Sequence, residues 1–272
     1  MNIFYLGPAG SYSEIIAKKM FSSADNFLVP VQTFIEIVEW VEQGGMGLLG
    51  IENSISSSVH ESVDAVFQSQ VYIVGEGLMN IDLFLGGSEN STIKNITNVY
   101  SHPQALAQCS EFIKNHRLTT HKTSSTASAV DEVEKSQDSS KGAIGGISSI
   151  KEKGMKIIAK NIGNTNHNMT RWVIISRSPV SLYKPINKVT YAFCVKHETG
   201  SLVRVLQSIA DAKGNMTKIE SRPVPGSNWE YEFWVDVEIP DDTLDIIDVA
   251  ISENTLTHRR IGAYKKGILY TE

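Results

Sequence analysis

Strand-like apolar runs alternate with helix-spaced apolar positions through the first half of the chain. Asn2 to Leu6 reads as a strand and Ser13 to Phe21 as a helix. Phe34 to Gln43 is a second helix, with Phe34, Ile37, Val38 and Val41 on one face. Gly47 to Ile51 is a short strand, and Val59 to Phe67 a helix carrying Val59, Val63, Val66 and Phe67. Two apolar runs follow, Val71 to Val74 and Ile81 to Leu85, and then a strand at Asn98 to Tyr100. Helices start near Pro103 and near Thr126, and Ala143 to Ile147 and Val173 to Ser176 read as strands. This alternation predicts an α/β fold with a largely parallel sheet.

The rhythm breaks at Arg177 to Pro185, where two prolines and two serines mark a linker. Beyond it, Val189 to Val195 is a strand and Ser201 to Ala212 a helix with Leu202, Val205, Leu206 and Ile209 inward. Met216 to Ser221 and Tyr231 to Glu238 are strands on either side of the turn Pro223 to Asn228. A helix from Asp242 to about Ser252 and a strand from Arg259 to Tyr264 complete a βαββαβ order, the ferredoxin-like split unit. A chain of 272 residues has room for two such domains.

Charge narrows the function. The net charge is −5, and neither half is basic: residues up to 186 carry 15 basic and 17 acidic side chains, the rest 10 and 13. A nucleic-acid footprint is therefore not expected. No apolar run reaches the length of a membrane span. Met1 to Leu6 lacks a basic region and runs into a Gly-Pro turn, so a cytoplasmic location is expected. Cys109 and Cys194 sit in apolar patterns and read as reduced core thiols, and the seven histidines are scattered, so a zinc site is not expected.

Candidate chemistry gathers at Asn168-Met169-Thr170-Arg171-Trp172, where a hydroxyl stands beside a guanidinium at the mouth of an apolar strand. Arg171 is one of three arginines in the first 186 residues. Buried there it needs either an anionic ligand or an internal carboxylate, and the segment alone leaves both open. Four strand-to-helix junctions share hydroxyl and amide side chains with it: Gly7 to Glu14, Glu52 to Ser58, Ser101 to Gln104, and Ser124 to Ala127. Each also suits plain capping, with Ser58 and Glu61 as a capping box and His102 or Ser101 before Pro103. Gly7 and Gly10 lack the third glycine of a dinucleotide fingerprint. As a set, the junctions point to a cleft for a small polar anion at the carboxyl ends of strands.

Taken in order, these segments resemble prephenate dehydratases. The resemblance is carried by Gly7-Pro8-Ala9-Gly10-Ser11-Tyr12-Ser13-Glu14, Ile51-Glu52-Asn53-Ser54-Ile55, Ser101-His102-Pro103-Gln104-Ala105, Ser125-Thr126-Ala127 and Asn168-Met169-Thr170-Arg171-Trp172. The C-terminal half resembles the regulatory ACT domain of the same enzymes through Gly200-Ser201-Leu202, Glu220-Ser221-Arg222-Pro223 and Trp229 to Asp236. It departs from the family's common residues at Ser57 (often Gly), Asn164 (often Asp), Trp172 (often Phe) and Ser201 (often Ala).

The resemblance implies a two-lobed catalytic region over residues 1–182, like type II periplasmic binding proteins, with lobes 1–78 plus 165–182 and 79–164. An ACT domain would follow over 187–272. The implied reaction turns prephenate into phenylpyruvate, carbon dioxide and water on the route to phenylalanine, with no cofactor, since aromatisation of the ring supplies the driving force. Thr170 would donate to the departing hydroxyl, and Arg171 would grip a carboxylate. Asn53, Ser54, Ser101, Gln104, Ser125, Thr126 and Asn168 would line the pocket, with Ser11 at its edge. Phenylalanine would bind between ACT domains of neighbouring subunits at Gly200, Ser201, Leu202, Glu220, Ser221, Arg222 and Pro223, and inhibit a homodimer or homotetramer. An arogenate dehydratase and a non-enzymatic amino-acid or anion sensor are the competing expectations.

Overall fold

The computed structural model describes residues 1–224, 231–240 and 243–271. Most of the turn expected at 223–228, the residues Trp229 and Glu230, and the helix start expected at Asp242 lie outside the described residues.

The chain opens with three parallel strands, β1 (Asn2–Leu6), β2 (Phe27–Val31) and β3 (Met46–Asn53), crossed over by α1 (Tyr12–Met20) and α2 (Phe34–Gln43). The short β4 (Ser57–Ser58) folds back on β3, then α3 (His60–Phe67) leads into β5 (Tyr72–Asn80). The chain then builds a separate sheet from β6 (Phe84–Gly87), β7 (Asn98–Ser101), β8 (Thr119–Lys122), β9 (Lys141–Gly145) and β10 (Lys156–Ala159). Around it lie α4 (Pro103–Gln108), α5 (Ser110–Asn115), α6 (Thr126–Ser136) and α7 (Ile147–Glu152). It returns through β11 (Met169–Ser176), which inserts between β3 and β5 and is antiparallel to both.

The largely parallel sheet expected from the alternation is thus corrected to two mixed sheets. The outgoing β5 and returning β11 carry the chain between them, and β6 and β10 add antiparallel pairs to the second sheet. Three short strands escape the hydrophobic pattern. β2 contains Pro30 and an exposed Phe27, β8 reads Thr-Thr-His-Lys, and β10 is partly exposed along its length. Ile147, expected to end a strand, instead begins α7 behind Gly146. Cys109 lies in the core of the second sheet, and burial pushes its thiol up to about 12.

The last strands are β12 (Lys188–Cys194), β13 (Asn215–Pro223), β14 (Tyr231–Glu238), β15 (Thr257–Tyr264) and β16 (Leu269–Tyr270), with helices α8 (Ser201–Asp211) and α9 (Leu244–Asn254). Their order β13-β14-β12-β15 is antiparallel throughout; β15 joins the first sheet at the pair Gly262 and Ile73, and β16 runs parallel to β5, pairing Leu269 with Leu78 and Tyr270 with Met79. One face of this unit buries Val189, Tyr191, Phe193 and Val235 against α8 and α9. The other face turns Ala192, Trp234 and Tyr264 onto Val63, Val66 and Val173 of the first sheet's layer. The C-terminal unit is therefore fastened by a shared apolar core to the back of the strands that carry Asn53 and Thr170.

Candidate active site

Strand alternation decides which side of β11 each residue serves. Thr170 and Trp172 face a cleft between the two sheets, and Arg171 faces the C-terminal unit. On the neighbouring β3, Gly50 and Asn53 both line the cleft although they are three residues apart. A register shift opposite Arg171 and Trp172 explains this: Trp172 pairs with Gly50, Arg171 with Glu52 and Thr170 with Asn53, so Ile51 is the extra residue. The bulge sends the Glu52 carboxylate to the back and the Asn53 amide to the front.

The cleft has a volume of about 280 Å³. From the first sheet's side come Ser11, Tyr12, Asn53, Ser56, Thr170 and Trp172. From the second come His102, Gln104, Gln108, Ser125 and Thr126. Two helices of normal length open onto it, α1 capped by Ser11 and α6 capped by Ser125, whose hydroxyls accept from the N–H groups of Glu14 and Ser128. The ionisable side chains in this lining are His102 and Tyr12. The cleft thus meets an anion with neutral donors and helix N-termini rather than with a cation.

Asn53 organises the centre. Its Oδ1 accepts from the backbone N–H groups of Ile55 and Ser56, at 3.0 and 3.2 Å. Backbone N–H groups can only donate, so the amide orientation is fixed and Nδ2 must face the other way. There it donates to Thr170 Oγ1 at 2.9 Å and to Asn168 Oδ1 at 2.8 Å. Asn168 Nδ2 in turn donates to Gln108 Oε1 at 3.0 Å. Gln104 Nε2 donates to Ser56 Oγ at 2.6 Å, linking α4 to the loop after β3. Because Thr170 Oγ1 is already an acceptor, its own proton points elsewhere, and the open side is the cleft.

Several residues expected at the pocket lie elsewhere. Arg171 is 5% exposed, and its fork is taken by three carboxylates: Nε donates to Glu52 at 2.7 Å, Nη1 to Glu76 at 2.9 Å and Nη2 to Asp236 at 2.5 Å. The choice left open in the sequence falls on internal carboxylates, and the expected grip on a substrate carboxylate is corrected accordingly. Lys188 shares Glu76, at 3.0 Å, and Lys218 pairs with Glu52, at 3.2 Å, so three cations face the three carboxylates. Burial pushes the Asp236 carboxyl up, but Arg171 and Lys188, with hydrogen bonds from Thr190 and Trp234, hold it below the usual carboxylate range.

Ser101 is fully buried and donates to the Ile144 carbonyl at 2.6 Å. Ser54 bonds His167 O and Met169 N, and braces the entry to β11 from outside the cleft. Asn168 stands behind Asn53 rather than on the lining. Ser58 does not form a capping box: α3 has no side-chain cap, and the Ser58 hydroxyl meets Glu220 and Lys218 of the C-terminal unit. Ser11, Asn53, Gln104, Ser125, Thr126 and Thr170 do come together. Of the residues missed as lining, His102 stands inside the Ser101-to-Ala105 motif, where it reads as a cap, and Gln108 lies four residues after Gln104 on the helix that starts at Pro103.

A family model for prephenate dehydratase matches residues 3–180. The chain belongs to the prephenate dehydratase family. A prephenate dehydratase from Methanocaldococcus jannaschii is 34% identical over 267 residues, covering 96% of this chain and 97% of the relative. Among solved structures, a prephenate dehydratase from Arthrobacter aurescens in complex with L-Phe superposes with a TM-score of 0.87 at 23% identity, over 97% of this chain and 90% of that one. A protein described as a novel type of quorum quenching acylase superposes with a TM-score of 0.85 at 26% identity, over 98% of each chain. Fold alone thus leaves the reaction open, and the family assignment rests on the sequence match. Among the described residues no three His, Cys, Asp or Glu side chains converge as a metal site, and no helix is long and apolar enough to cross a membrane.

Proposed function

We propose that the cleft between the sheets is where prephenate loses its ring hydroxyl and ring carboxylate to give phenylpyruvate, carbon dioxide and water. The family's dehydratase activity supplies the reaction. The observation that carries the site is the Asn53 amide donating to Thr170 Oγ1, which leaves the threonine proton to point at the departing hydroxyl. A threonine hydroxyl is a weak acid, so Thr170 acts as a hydrogen-bond donor to the departing hydroxide, which takes from solvent the proton that makes it water. The helix N-termini of α1 and α6 favour the two carboxylates of the substrate without holding the leaving one too strongly. Residues 1–182 form the catalytic region in this reading, with lobes 1–78 plus 165–182 and 79–164. Incubating the protein separately with prephenate and with arogenate tests it: phenylpyruvate from prephenate is expected, and phenylalanine from arogenate alone would overturn it.

Residues 187–272 serve, in the same reading, as an ACT regulatory domain that binds phenylalanine. Its βαββαβ order and the L-Phe complex of the Arthrobacter aurescens protein support this. The proposed effector segments are Gly200 to Leu202, at the start of α8, and Glu220 to Pro223, at the end of β13. A chain of ion pairs gives the second segment a route to the cleft. Glu220 pairs with Lys218 at 3.0 Å, Lys218 with Glu52 at 3.2 Å, and Glu52 with Arg171, the residue after Thr170. β13 is also a sheet edge with Ile219 46% exposed, which favours pairing between copies in a homodimer or homotetramer. Inhibition of prephenate turnover by added phenylalanine tests this part. Phenylalanine that neither inhibits nor raises thermal stability would refute it.

A further inference from the structure

Gln108 Nε2 and His102 Nε2 are both nitrogens of cleft-lining side chains without a partner among the described residues, but Gln108 Nε2 is buried away from the open cleft, which leaves the partly exposed ring of His102. It caps α4, with Nδ1 accepting from the Gln104 backbone N–H at 3.2 Å. The donor is a backbone amide, so Nδ1 carries no proton and the ring is the Nε2–H tautomer. Among the described residues Nε2 meets no hydrogen-bonding partner, and the ring lines the cleft. Burial pushes the imidazole below the usual histidine value, which keeps it neutral. Protonating Nδ1 would turn two N–H groups toward each other and break the cap, so the geometry suits a donor and not a shuttle for protons.

The cleft needs such a donor. A substrate with two carboxylates and a hydroxyl presents many acceptors, while the lining holds no Lys or Arg. The Ser11 hydroxyl already donates to the Leu6 carbonyl and Ser125 shares a hydrogen bond with Ser128, while the Asn53 amide donates to Thr170 and Asn168 and Gln104 donates to Ser56. The free N–H of His102 comes from the second sheet's side, across from Thr170.

We propose that His102 contacts the substrate directly, its neutral Nε2–H donating to an oxygen of bound prephenate. This rests on the reading of the cleft as the prephenate site.

His102→Asn separates the two roles of the ring. Asparagine is among the best N-caps, so its carbonyl preserves the start of α4, but it is too short to place a donor where Nε2–H lies. His102→Ser repeats the test with a second capping residue. In folded variants the expected result is a thermal midpoint close to that of the wild type and a fall of about 10- to 100-fold in kcat/KM for prephenate, the range for losing a hydrogen bond to a charged group. Wild-type kcat/KM in either folded variant would overturn the proposal and leave His102 as a cap only. Collapse of stability in both capping variants would also overturn it, because the ring would then be structural. A wild-type protein that leaves prephenate untouched would instead remove the reading of the cleft itself.

Discussion

Asn53 Nδ2 lies 2.9 Å from Thr170 Oγ1, and the two residues are direct cross-strand partners on β3 and β11. The amide cannot flip, since its oxygen is committed to two backbone N–H groups. The pair therefore sets the direction of one proton, which is what a leaving hydroxyl requires.

Replacing Asn53 by aspartate should reverse that direction. A carboxylate keeps the acceptor for Ile55 and Ser56 but offers Thr170 no donor, so the threonine proton turns back onto it. Asn53→Asp is expected to lower kcat by about two orders of magnitude or more, in the range seen when one preorganised donor is lost. Steady-state kinetics on the purified variant checks this, with circular dichroism to establish folding. A kcat within threefold of wild type would show that the orientation of Thr170 is unimportant.

Arg171 should matter for folding before it matters for binding. Removing its guanidinium leaves Glu76 and Asp236, 4% and 0% exposed, with one cationic neighbour fewer. Arg171→Met is expected to cost about 3–5 kcal/mol of stability, the usual penalty for breaking a buried ion pair. Urea unfolding measures it. A variant as stable as wild type but defective in substrate binding would restore the guanidinium to the pocket.

Lys218 offers a way to cut regulation from catalysis. It lies on β13 and bridges Glu220 to Glu52, and it is not among the residues that line the cleft. Lys218→Met should leave turnover without phenylalanine within a fewfold of wild type and weaken inhibition by phenylalanine at least fivefold, the low end of typical coupling. Inhibition curves for the two proteins, with phenylalanine binding followed by calorimetry, decide the matter. Unchanged inhibition would mean that the signal takes another route.

The contacts of the C-terminal unit should weaken in acid. Asp236 lies below its ordinary value of 3.8; burial raises it, and Arg171, Lys188 and two hydrogen bonds outweigh that rise. Glu220 lies below its ordinary value of 4.5; burial raises it too, but Ser58, Lys218 and Arg222 prevail. Both bind protons less readily folded than unfolded, so their contribution is whole above those values and is lost as pH falls through the lowered ones. Urea midpoints measured from pH 7 down to pH 3 should drop steeply only below about 4.5. Asp236→Asn should flatten the acid limb, and an unchanged limb would contradict the assignment.

Periodic elements were legible in the sequence because their residues satisfy one rule at a time. Phe34–Gln43 and Tyr231–Glu238 have the bounds their spacing predicts. The second sheet's edges were not legible: β8 has no apolar residue, and strands without a buried face leave no alternation to read. At the site, Thr170, Asn53 and Gln104 could be placed from their motifs, whereas Arg171 could not. A buried arginine beside the Thr170 hydroxyl fits an anion or a carboxylate equally well, and the deciding partners, Glu76 and Asp236, lie 95 and 65 residues away. The bulge at Ile51 was equally hidden, although it alone turns Glu52 away from the cleft and Asn53 toward it. Ser57 adopts φ 66°, in the left-handed region, which gives a physical reason for the glycine common there in the family.

The most direct measurement is prephenate turnover by Thr170→Ser and Thr170→Val alongside the unmodified protein, with phenylpyruvate as the product followed. Serine keeps the hydroxyl and valine keeps the shape. The expected result is substantial activity in Thr170→Ser and a loss of at least about 100-fold in Thr170→Val with little change in KM. Near-normal formation of phenylpyruvate by folded Thr170→Val would contradict the central claim that this hydroxyl assists the departing group.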